Sequence, residues 1–379
     1  MTTKLIDTKK IAVIGGGPVG LITARLLQMR GADVTVYERD KGPDARISGG
    51  TLDIHYDIGQ PALQAAGILE SYLTLARDVG ERSFDQLGNL QEETLPSVAT
   101  KGMRPEIDRS DLRKIVLEVL DENTVFWNKQ YTAIVRENGR YRLSFRDGTT
   151  ALADLVIAAD GGRSKLRSLV TDVARTFTGT IIIQGDIQQP QTLAAGINAM
   201  VNAGNLMALG EQKMVFIQPR RDGSLNYYIS FRESEDWLET SGLDLKDHAG
   251  MTHYLNGLFQ HWNPVYGELF IATTEFQVLP MYLLPVDKPW DSFDTIALVG
   301  DAAHLMPPFA GVGVNIGLLD ALHLVNNLTN ENFETVADAI RAYATQMFVY
   351  AAVAQADTTA AENSIHHIDA LNITKEHRR

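Results

Sequence analysis

The stretch that decides the fold is IAVIGGGPVG, residues 11–20. Four apolar residues, typical of a buried strand, run directly into three glycines and a proline. Apolar residues at helical spacing follow over residues 21–29, and a second short strand, VTVY, occupies residues 34–37. This order of strand, glycine-rich turn, helix and strand predicts a β-α-β unit that opens a parallel sheet.

The glycines have the spacing G-x-G-x-x-G, and the motif comprises Gly15, Gly17, Pro18, Val19 and Gly20. The first glycine permits the tight turn, the second lets the backbone approach a pyrophosphate, and the third lets helix and strand touch. Glu38, at the end of the second strand, is placed to accept a hydrogen bond from a ribose hydroxyl. The motif predicts an adenine dinucleotide without choosing FAD over NAD. A structural turn unrelated to nucleotides is the alternative.

The composition of the chain restricts the classes of function that are possible. The chain has 379 residues, 45% of them hydrophobic, which is enough for a large core in two joined lobes. A formal net charge of -13 without a Lys/Arg cluster argues against nucleic acid. The complete lack of cysteine excludes thiolate metal sites, and the nine histidines are scattered, so we expect no metal and assign redox chemistry to a bound cofactor. Glycines break the apolar run at residues 11–27, so we expect neither a signal peptide nor a membrane span, and a cytoplasmic protein.

The rest of the chain indicates two lobes. Buried-strand runs recur at residues 155–159 and 296–299, so the parallel sheet collects strands from distant parts of the chain. Alternating strands, mainly antiparallel, are predicted at residues 180–186, 214–218, 225–231 and 269–278. The fold class is therefore α/β: a discontinuous Rossmann-like FAD-binding domain (1–177 and 281–330), a mainly antiparallel β-sheet substrate domain (178–280) and a long C-terminal helix (331–365).

Two further motifs indicate which dinucleotide, FAD or NAD, the chain binds. DGGRSKLR at residues 160–167 and GDAAHLMPPFAGVGVN at residues 300–315 each follow a predicted strand. With the glycine fingerprint, in this order and spacing, they make the chain resemble the flavoprotein aromatic hydroxylases, single-component FAD monooxygenases related to para-hydroxybenzoate hydroxylase. The resemblance implies that Asp160 belongs to a segment that binds FAD and the nicotinamide. It also implies that Asp301 contacts the ribityl and pyrophosphate region, with a helix N-cap as the alternative role.

The second motif leads into a helix that starts at Gly313. Its N-terminal backbone N–H groups suit the N1/O2 edge of a reduced, anionic flavin, and glycines let the ring come close. The cofactor residues predicted in this segment are Pro308, Gly311, Gly313, Val314 and Asn315. His304 could act as a base, but a structural role is the simpler interpretation.

The similarity is closest to the TetX-type tetracycline destructases and covers nearly the whole chain. It is carried by IGGGPVGL (14–21), VYERD (36–40), ARI (45–47), GGTLD (49–53) and QMF (346–348). The resemblance implies that Glu38 and Arg39 hold the adenosine end of FAD, and that Asp53 and Arg109 lie against the isoalloxazine. It further implies that Arg46 meets the nicotinamide nucleotide and that Arg113 faces FAD. Solvated surface arginines are the alternative.

The substrate lobe departs from that family. The resemblance implies a pocket wall made of Gln184, Phe216, Asn226, Pro308, Phe309 and Met347. Asn205 stands where the destructases have an arginine, Asn226 where they have a histidine, and Tyr228 where they have a small residue. In the flavin loop, Val312 replaces a glutamine. The substrate therefore stays open between tetracyclines and other aromatic or polyketide molecules.

The family chemistry needs no essential catalytic side chain. NADPH or NADH reduces FAD, O₂ adds at flavin C4a, and the hydroperoxide passes one oxygen to an electron-rich aromatic or enolic carbon. Epoxidation, Baeyer–Villiger insertion or ring reduction on the same scaffold are alternatives, as is a flavin- or drug-binding protein without turnover. We expect a small-molecule substrate and a monomer.

Overall fold

The computed structural model describes residues 5–45, 49–290 and 295–371. The strands are β1 (Lys10–Ile14), β2 (Asp33–Tyr37), β3 (Leu52–Asp53), β4 (Glu81–Asp85), β5 (Leu90–Thr94), β6 (Glu106–Ile107), β7 (Val125–Phe126), β8 (Tyr131–Glu137), β9 (Arg140–Phe145), β10 (Thr150–Ala153), β11 (Leu155–Ala158), β12 (Thr176–Ile187), β13 (Asn205–Gly210), β14 (Lys213–Pro219), β15 (Leu225–Arg232), β16 (Gln277–Leu283) and β17 (Ile296–Leu298).

The α-helices are α1 (Pro18–Met29), α2 (Gln60–Ala65), α3 (Leu69–Leu75), α4 (Arg109–Val119), α5 (Pro190–Leu193), α6 (Ala195–Val201), α7 (Trp237–Thr240), α8 (His248–Leu258), α9 (Gly267–Ala272), α10 (Asp301–His304), α11 (Gly313–Thr329) and α12 (Val336–Ile365). Short 3-10 helices cover Arg167–Leu169, Pro264–Tyr266 and Pro308–Ala310. None of the described helices is both long and apolar enough to cross a membrane.

The first sheet is parallel throughout, in the order β17-β11-β1-β2-β7. The central strands β1 and β11 are almost wholly buried, as expected of a parallel sheet covered on both faces. α1 packs against α11, and α11 packs against α12. The predicted assembly of one parallel sheet from distant segments is confirmed.

The second sheet has the order β16-β12-β15-β14-β13-β4-β5, and its neighbours are antiparallel except for the parallel pair β13 and β4. The predicted α/β fold with a mainly antiparallel second lobe is confirmed. Two of its strands, β4 and β5, come from within residues 1–177, where their polar sequences, ERSFD and LQEET, carry little apolar alternation.

The strand predicted at residues 269–278 is wrong in its first half. Gly267–Ala272 forms α9, which buries Leu269 and Phe270 in the core of the second lobe, and β16 begins only at Gln277. The segment GELFIA has no strict alternation, and a short apolar run fits a helix as well as a buried strand.

The C-terminal helix joins the two lobes. Its Thr335 side chain accepts a hydrogen bond from Asp338 N at 3.1 Å, which caps the helix start. Ile340 and Tyr343 are buried in the core of the first lobe. Near the other end, Glu362 accepts hydrogen bonds from threonines 178 and 180 of β12 in the second sheet. The helix therefore fixes one lobe against the other.

A buried carboxylate ties the loop after β17 to α11 and α12. Asp320 accepts hydrogen bonds from Gly300 N, from His304 Nε2 and from the Tyr350 hydroxyl, each at 2.6 Å. Burial alone would lower the pKa of His304, but the Asp320 carboxylate, helped by the charge of Asp301 and a backbone hydrogen bond, outweighs burial and raises that pKa. The pair therefore favours a charged imidazole inside the protein.

We expect Asp320→Asn to destabilise the protein by about 3 kcal/mol, because it leaves a buried group without its charge partner. The His304 pKa is higher in the folded state, so this stabilisation is complete below about pH 6.5 and declines as the pH rises through the folded-state value. Urea unfolding across that pH range measures both effects.

The matched control is Asp338→Asn, which removes an exposed carboxylate that pairs with Arg341 and accepts a hydrogen bond from the Thr335 hydroxyl. Its loss of stability should be much smaller than that of Asp320→Asn. Equal losses for the two variants, or an unchanged pH profile in Asp320→Asn, would contradict this account of the buried pair.

Candidate active site

One large cavity, with a volume of about 1130 Å³, lies where the carboxyl ends of the parallel strands meet one face of the second sheet. Its wall includes the glycine-rich turn after β1, the loops after β11 and β17, and residues of β12 to β16. Ligands of open α/β sheets bind outside the carboxyl ends of the strands. The cavity therefore continues from a dinucleotide position to the face of the second sheet.

The turn after β1 has the geometry that its spacing predicts. Gly15 has φ +112, and a Cβ there would lie 2.3 Å from Ala159 O. A Cβ on Gly20 would lie 2.1 Å from Gly15 O, so helix and turn can touch only without a side chain. A Cβ on Gly17 would meet no protein atom within 4 Å. Gly17 is thus the position at which a ligand can approach the backbone.

The carboxylate of Glu38 lies at this turn. It accepts hydrogen bonds from Gly16 N and, at 2.9 Å, from Asp40 N, and it lines the cavity together with Arg39. Each carboxylate oxygen keeps a second lone pair for a ligand hydroxyl. The predicted adenosine end therefore has the Glu38 carboxylate and the Arg39 side chain beside it.

One of the predicted arginines, Arg113, lies away from the cavity. Arg113 donates to Asp40 Oδ2 at 2.9 Å and to Pro43 O at 3.2 Å, and its guanidinium lies 5.0 Å from the ring centroid of Trp127. It orders the loop after β2 and does not line the cavity. Arg46, predicted to meet the nicotinamide nucleotide, lies outside the described residues.

Two acids face the middle of the cavity. Asp160 Oδ2 accepts a hydrogen bond from Lys165 N at 3.2 Å, whereas its buried Oδ1 has no partner among the described residues. Burial raises the pKa of Asp160. Asp301 opens onto the cavity at the start of α10, where desolvation by the surrounding protein raises its pKa. An unpartnered acceptor and a second acid suit a ligand that brings hydroxyl donors.

Two helix N-termini open onto the same cavity. No described side chain caps the start of α1 or of α11, so their first backbone N–H groups are free to bind a ligand. The residues at the start of α11 and before it that line the cavity include Pro308, Gly311, Gly313 and Val314. The positive ends of these helices suit a pyrophosphate and an electron-rich ring edge.

Asn315 supports this region from behind. Its Oδ1 accepts from His55 N at 2.7 Å and its Nδ2 donates to Asp53 O at 2.9 Å, and the side chain is fully buried. Asn315 therefore fixes β3 beside the start of α11 and does not itself line the cavity. The side chains of Asp53 and Arg109 do line it, and Arg109 Nε donates to Gly50 O at 3.0 Å.

The face of the second sheet toward the cavity is set by strand register. One row of side chains crosses five strands in the order Met207, Phe216, Tyr228, Gln184, Gln277. All five line the cavity, as does Phe309, which packs against the same small hydrophobic cluster as Met207 and Phe216. Met207 and Gln277 were not predicted as site residues, although their register places them beside the predicted ones. The row combines apolar side chains with two amides.

Two predicted substrate residues lie elsewhere. Asn226 is fully buried in the next row, where its Nδ2 donates to Asp186 Oδ1 at 2.6 Å. Met347 is fully buried in the core of the first lobe, because it occupies the face of α12 that packs there. Neither lines the cavity. Helical spacing showed that Met347 lies on an apolar face, but it could not show what that face contacts.

The cavity fits FAD. It offers Gly17 as an open approach to the backbone, a carboxylate beside it, two uncapped helix N-termini and the unpartnered Oδ1 of Asp160 along one continuous channel. Residues of the turn after β1 would hold the pyrophosphate, Glu38 the adenosine ribose, and Asp301 with the start of α11 the ribityl and flavin.

Comparisons with known proteins agree with this fit. A family profile described as "FAD binding domain" matches residues 8–236 and 286–351, more than half of the chain. The monooxygenase asqM of Emericella nidulans is 26% identical over 384 residues, covering 87% of this chain and 86% of that protein.

Solved structures show the same fold. Klebsiella pneumoniae HpxO complexed with FAD and uric acid has a TM-score of 0.79 and 22% identity, covering 99% of this chain and 93% of that one. Tetracycline destructase Tet(51) has a TM-score of 0.74 and 22% identity, covering 97% and 94%. The predicted resemblance is confirmed, and the chain belongs to the FAD binding domain family, among relatives that are FAD-dependent monooxygenases.

Proposed function

We propose that this protein is an NAD(P)H-consuming monooxygenase that hydroxylates an aromatic or enolic polycyclic small molecule. The observation that carries the proposal is the continuity of the cavity. It joins the part that would hold FAD, here called the FAD cradle (the turn after β1, Glu38, Asp301 and the start of α11), to the mixed apolar and amide face of the second sheet. A flat substrate on that face would lie in the same enclosed space as the flavin ring. Bound FAD would supply the activation of O₂, and a nicotinamide would supply the electrons.

The chain's own part is to position groups and exclude water. Met207, Phe216 and Phe309 make the substrate end apolar, while the Gln184 and Gln277 amides can orient polar groups of a bound ring. No acid or base is assigned an essential proton transfer. The sequence has a single G-x-G-x-x-G fingerprint, which supports transient binding of the nicotinamide at the flavin.

Whether tetracyclines are substrates depends on the residues at the substrate face of the cavity. Asn205 and Tyr228 line the cavity, whereas Asn226 is bound to Asp186 behind it. The likeness to Tet(51) at 22% identity supports the fold and leaves the substrate to be tested. Tetracyclines therefore belong in a panel with other phenols and polyketides.

The direct test measures oxidation of NADPH and of NADH by the purified, FAD-loaded protein, with and without each panel member, and the product mass. We expect ligand-stimulated consumption together with a gain of one oxygen atom in the product. Added hydrogens without oxygen would instead identify a reductase. Ligand binding without any consumption would identify a binding protein and overturn the proposal.

FAD loading gives a separate prediction. In Gly17→Val the new Cβ meets no protein atom within 4 Å, and the side chain would occupy the approach to the dinucleotide, so FAD affinity should fall at least about tenfold, a loss of about 1.4 kcal/mol. Folding of the FAD-free protein should change by no more than about 1 kcal/mol, since the cost is that of a poorer N-cap. FAD titration followed by flavin fluorescence measures the first effect, and thermal unfolding the second.

Gly257→Val is the matched control, because Gly257 is exposed on α8 and a Cβ there also meets no atom within 4 Å. It should keep full FAD affinity. Normal FAD binding by Gly17→Val would show that the dinucleotide does not approach this turn.

A further inference from the structure

Four polar side chains form a buried cluster in the cavity wall: Thr51, Glu106, Asn205 and Gln218, here called the Glu106 cluster. They are 7%, 7%, 9% and 8% exposed, respectively, and all four line the cavity. They come from the segment before β3 and from β6, β13 and β14, so the cluster exists only in the folded protein. The FAD cradle described above uses none of them.

The cluster is organised around the Glu106 carboxylate. Asn205 Nδ2 donates to its Oε1 at 2.5 Å, and the Thr51 hydroxyl donates to its Oε2. Gln218 Nε2 in turn donates to Thr51 Oγ1 at 2.8 Å. Each of these hydrogen bonds is donated in the direction of the carboxylate. The carboxylate therefore fixes the orientation of both amides and of the hydroxyl.

One acceptor is left over. Because Nδ2 of Asn205 is committed to Glu106, its Oδ1 is turned away from the carboxylate, and it has no hydrogen-bond partner among the described residues. Leaving a buried acceptor unsatisfied costs free energy. Asn205 lines the cavity, so a bound molecule can supply the missing donor.

Two arginines near the cluster make their hydrogen bonds to acceptors outside it. Arg77, bridged to Glu106 through the backbone, directs its guanidinium to Asp108 at 3.3 Å and to Pro219 O at 3.1 Å. Arg104 is paired with Asp53 at 2.7 Å. The cavity wall near the cluster therefore presents acceptors and a carboxylate. Burial raises the pKa of Glu106, and the hydrogen bonds from Thr51 and Asn205 and the charge of Arg77 lower it.

Two more acids line the same cavity. Asp78, which accepts from Gly102 N at 2.8 Å, and Glu81, whose strand pairs with the strand of Asn205, both contribute to its wall. Glu81 is half-buried and its charge adds to that of Glu106, whereas Asp78 is exposed to solvent and adds less. A carboxylate on a ligand would be repelled there.

We propose that the Glu106 cluster is a specificity-determining subsite that binds an N–H donor of the substrate, neutral or cationic, and rejects a carboxylate at that end. The inference rests on the proposed function, since it assigns the cavity to the substrate. It identifies the substrate class as aromatic or enolic molecules that carry an amide, amidine or amine opposite the oxygenated ring.

The test uses three probes of one shape: 6-hydroxy-2-naphthamidine, 6-hydroxy-2-naphthamide and 6-hydroxy-2-naphthoate. Each is titrated into the oxidised FAD-loaded protein and followed by flavin absorbance. The amide should bind at least about tenfold more tightly than the carboxylate, and the amidine more tightly still, because both donate to a buried acceptor site.

The isosteric variant Glu106→Gln removes the charge and keeps the shape. It should abolish the advantage of the amidine over the amide and improve binding of the naphthoate several-fold. Glu92→Gln, which removes an exposed charge from β5 of the same sheet, is the matched control and should leave all three affinities unchanged. If Glu106→Gln does not fold, Asn205→Leu should selectively weaken the amide and amidine.

Three results would overturn the inference: a naphthoate that binds as tightly as the amide, a probe order that Glu106→Gln or Asn205→Leu leaves unchanged, or no amide or amidine binding at millimolar concentration. NADPH oxidation and product mass, measured on the same samples, separate this inference from the proposed function. Charge-selective binding without oxygen transfer would keep the subsite and overturn the monooxygenase. Oxygen transfer without charge-selective binding would keep the monooxygenase and overturn the subsite.

Discussion

The buried carboxylate of Asp320 accepts hydrogen bonds from three segments that must meet for the flavin side of the cavity to exist. It takes Gly300 N from the loop after β17, His304 from α10 and the Tyr350 hydroxyl from α12. With the loop held in this way, Asp301 opens onto the cavity and the start of α11 remains uncapped beside it. A charge removed from water needs such partners, so the position of each segment is specified narrowly.

The two lobes contribute different kinds of binding groups to one cavity. The parallel sheet offers helix N-termini and backbone donors, which suit an anionic cofactor of fixed shape. The second sheet offers a row of side chains across five strands, which can vary without disturbing the backbone that carries it. Because α12 is buried in one core and bonded to β12 through Glu362, the cradle and this variable face keep a fixed separation.

Much of the cradle could be predicted because its requirements are local. The spacing of Gly15, Gly17 and Gly20 follows from close contacts within a single β-α-β unit. The substrate face was harder, since it depends on which strands become neighbours. Gln184 and Phe216 line the cavity, while Met347 and Asn226 are buried away from it. Glu106 was not predicted at all, because its partners come from β13, β14 and the segment before β3.

The sequence by itself determined the α/β class, the dinucleotide turn and the assembly of the parallel sheet, because periodicity and glycine spacing encode short-range geometry. The FAD-binding family followed from the resemblance of its motifs to those of known flavoproteins. Only the tertiary structure decided which polar side chains share the cavity. It turned Arg113 toward Asp40, placed Asn315 behind β3, and brought Glu106 to Asn205. Such contacts join residues up to hundreds of positions apart, and strand order and register, which set them, leave no local mark in the chain.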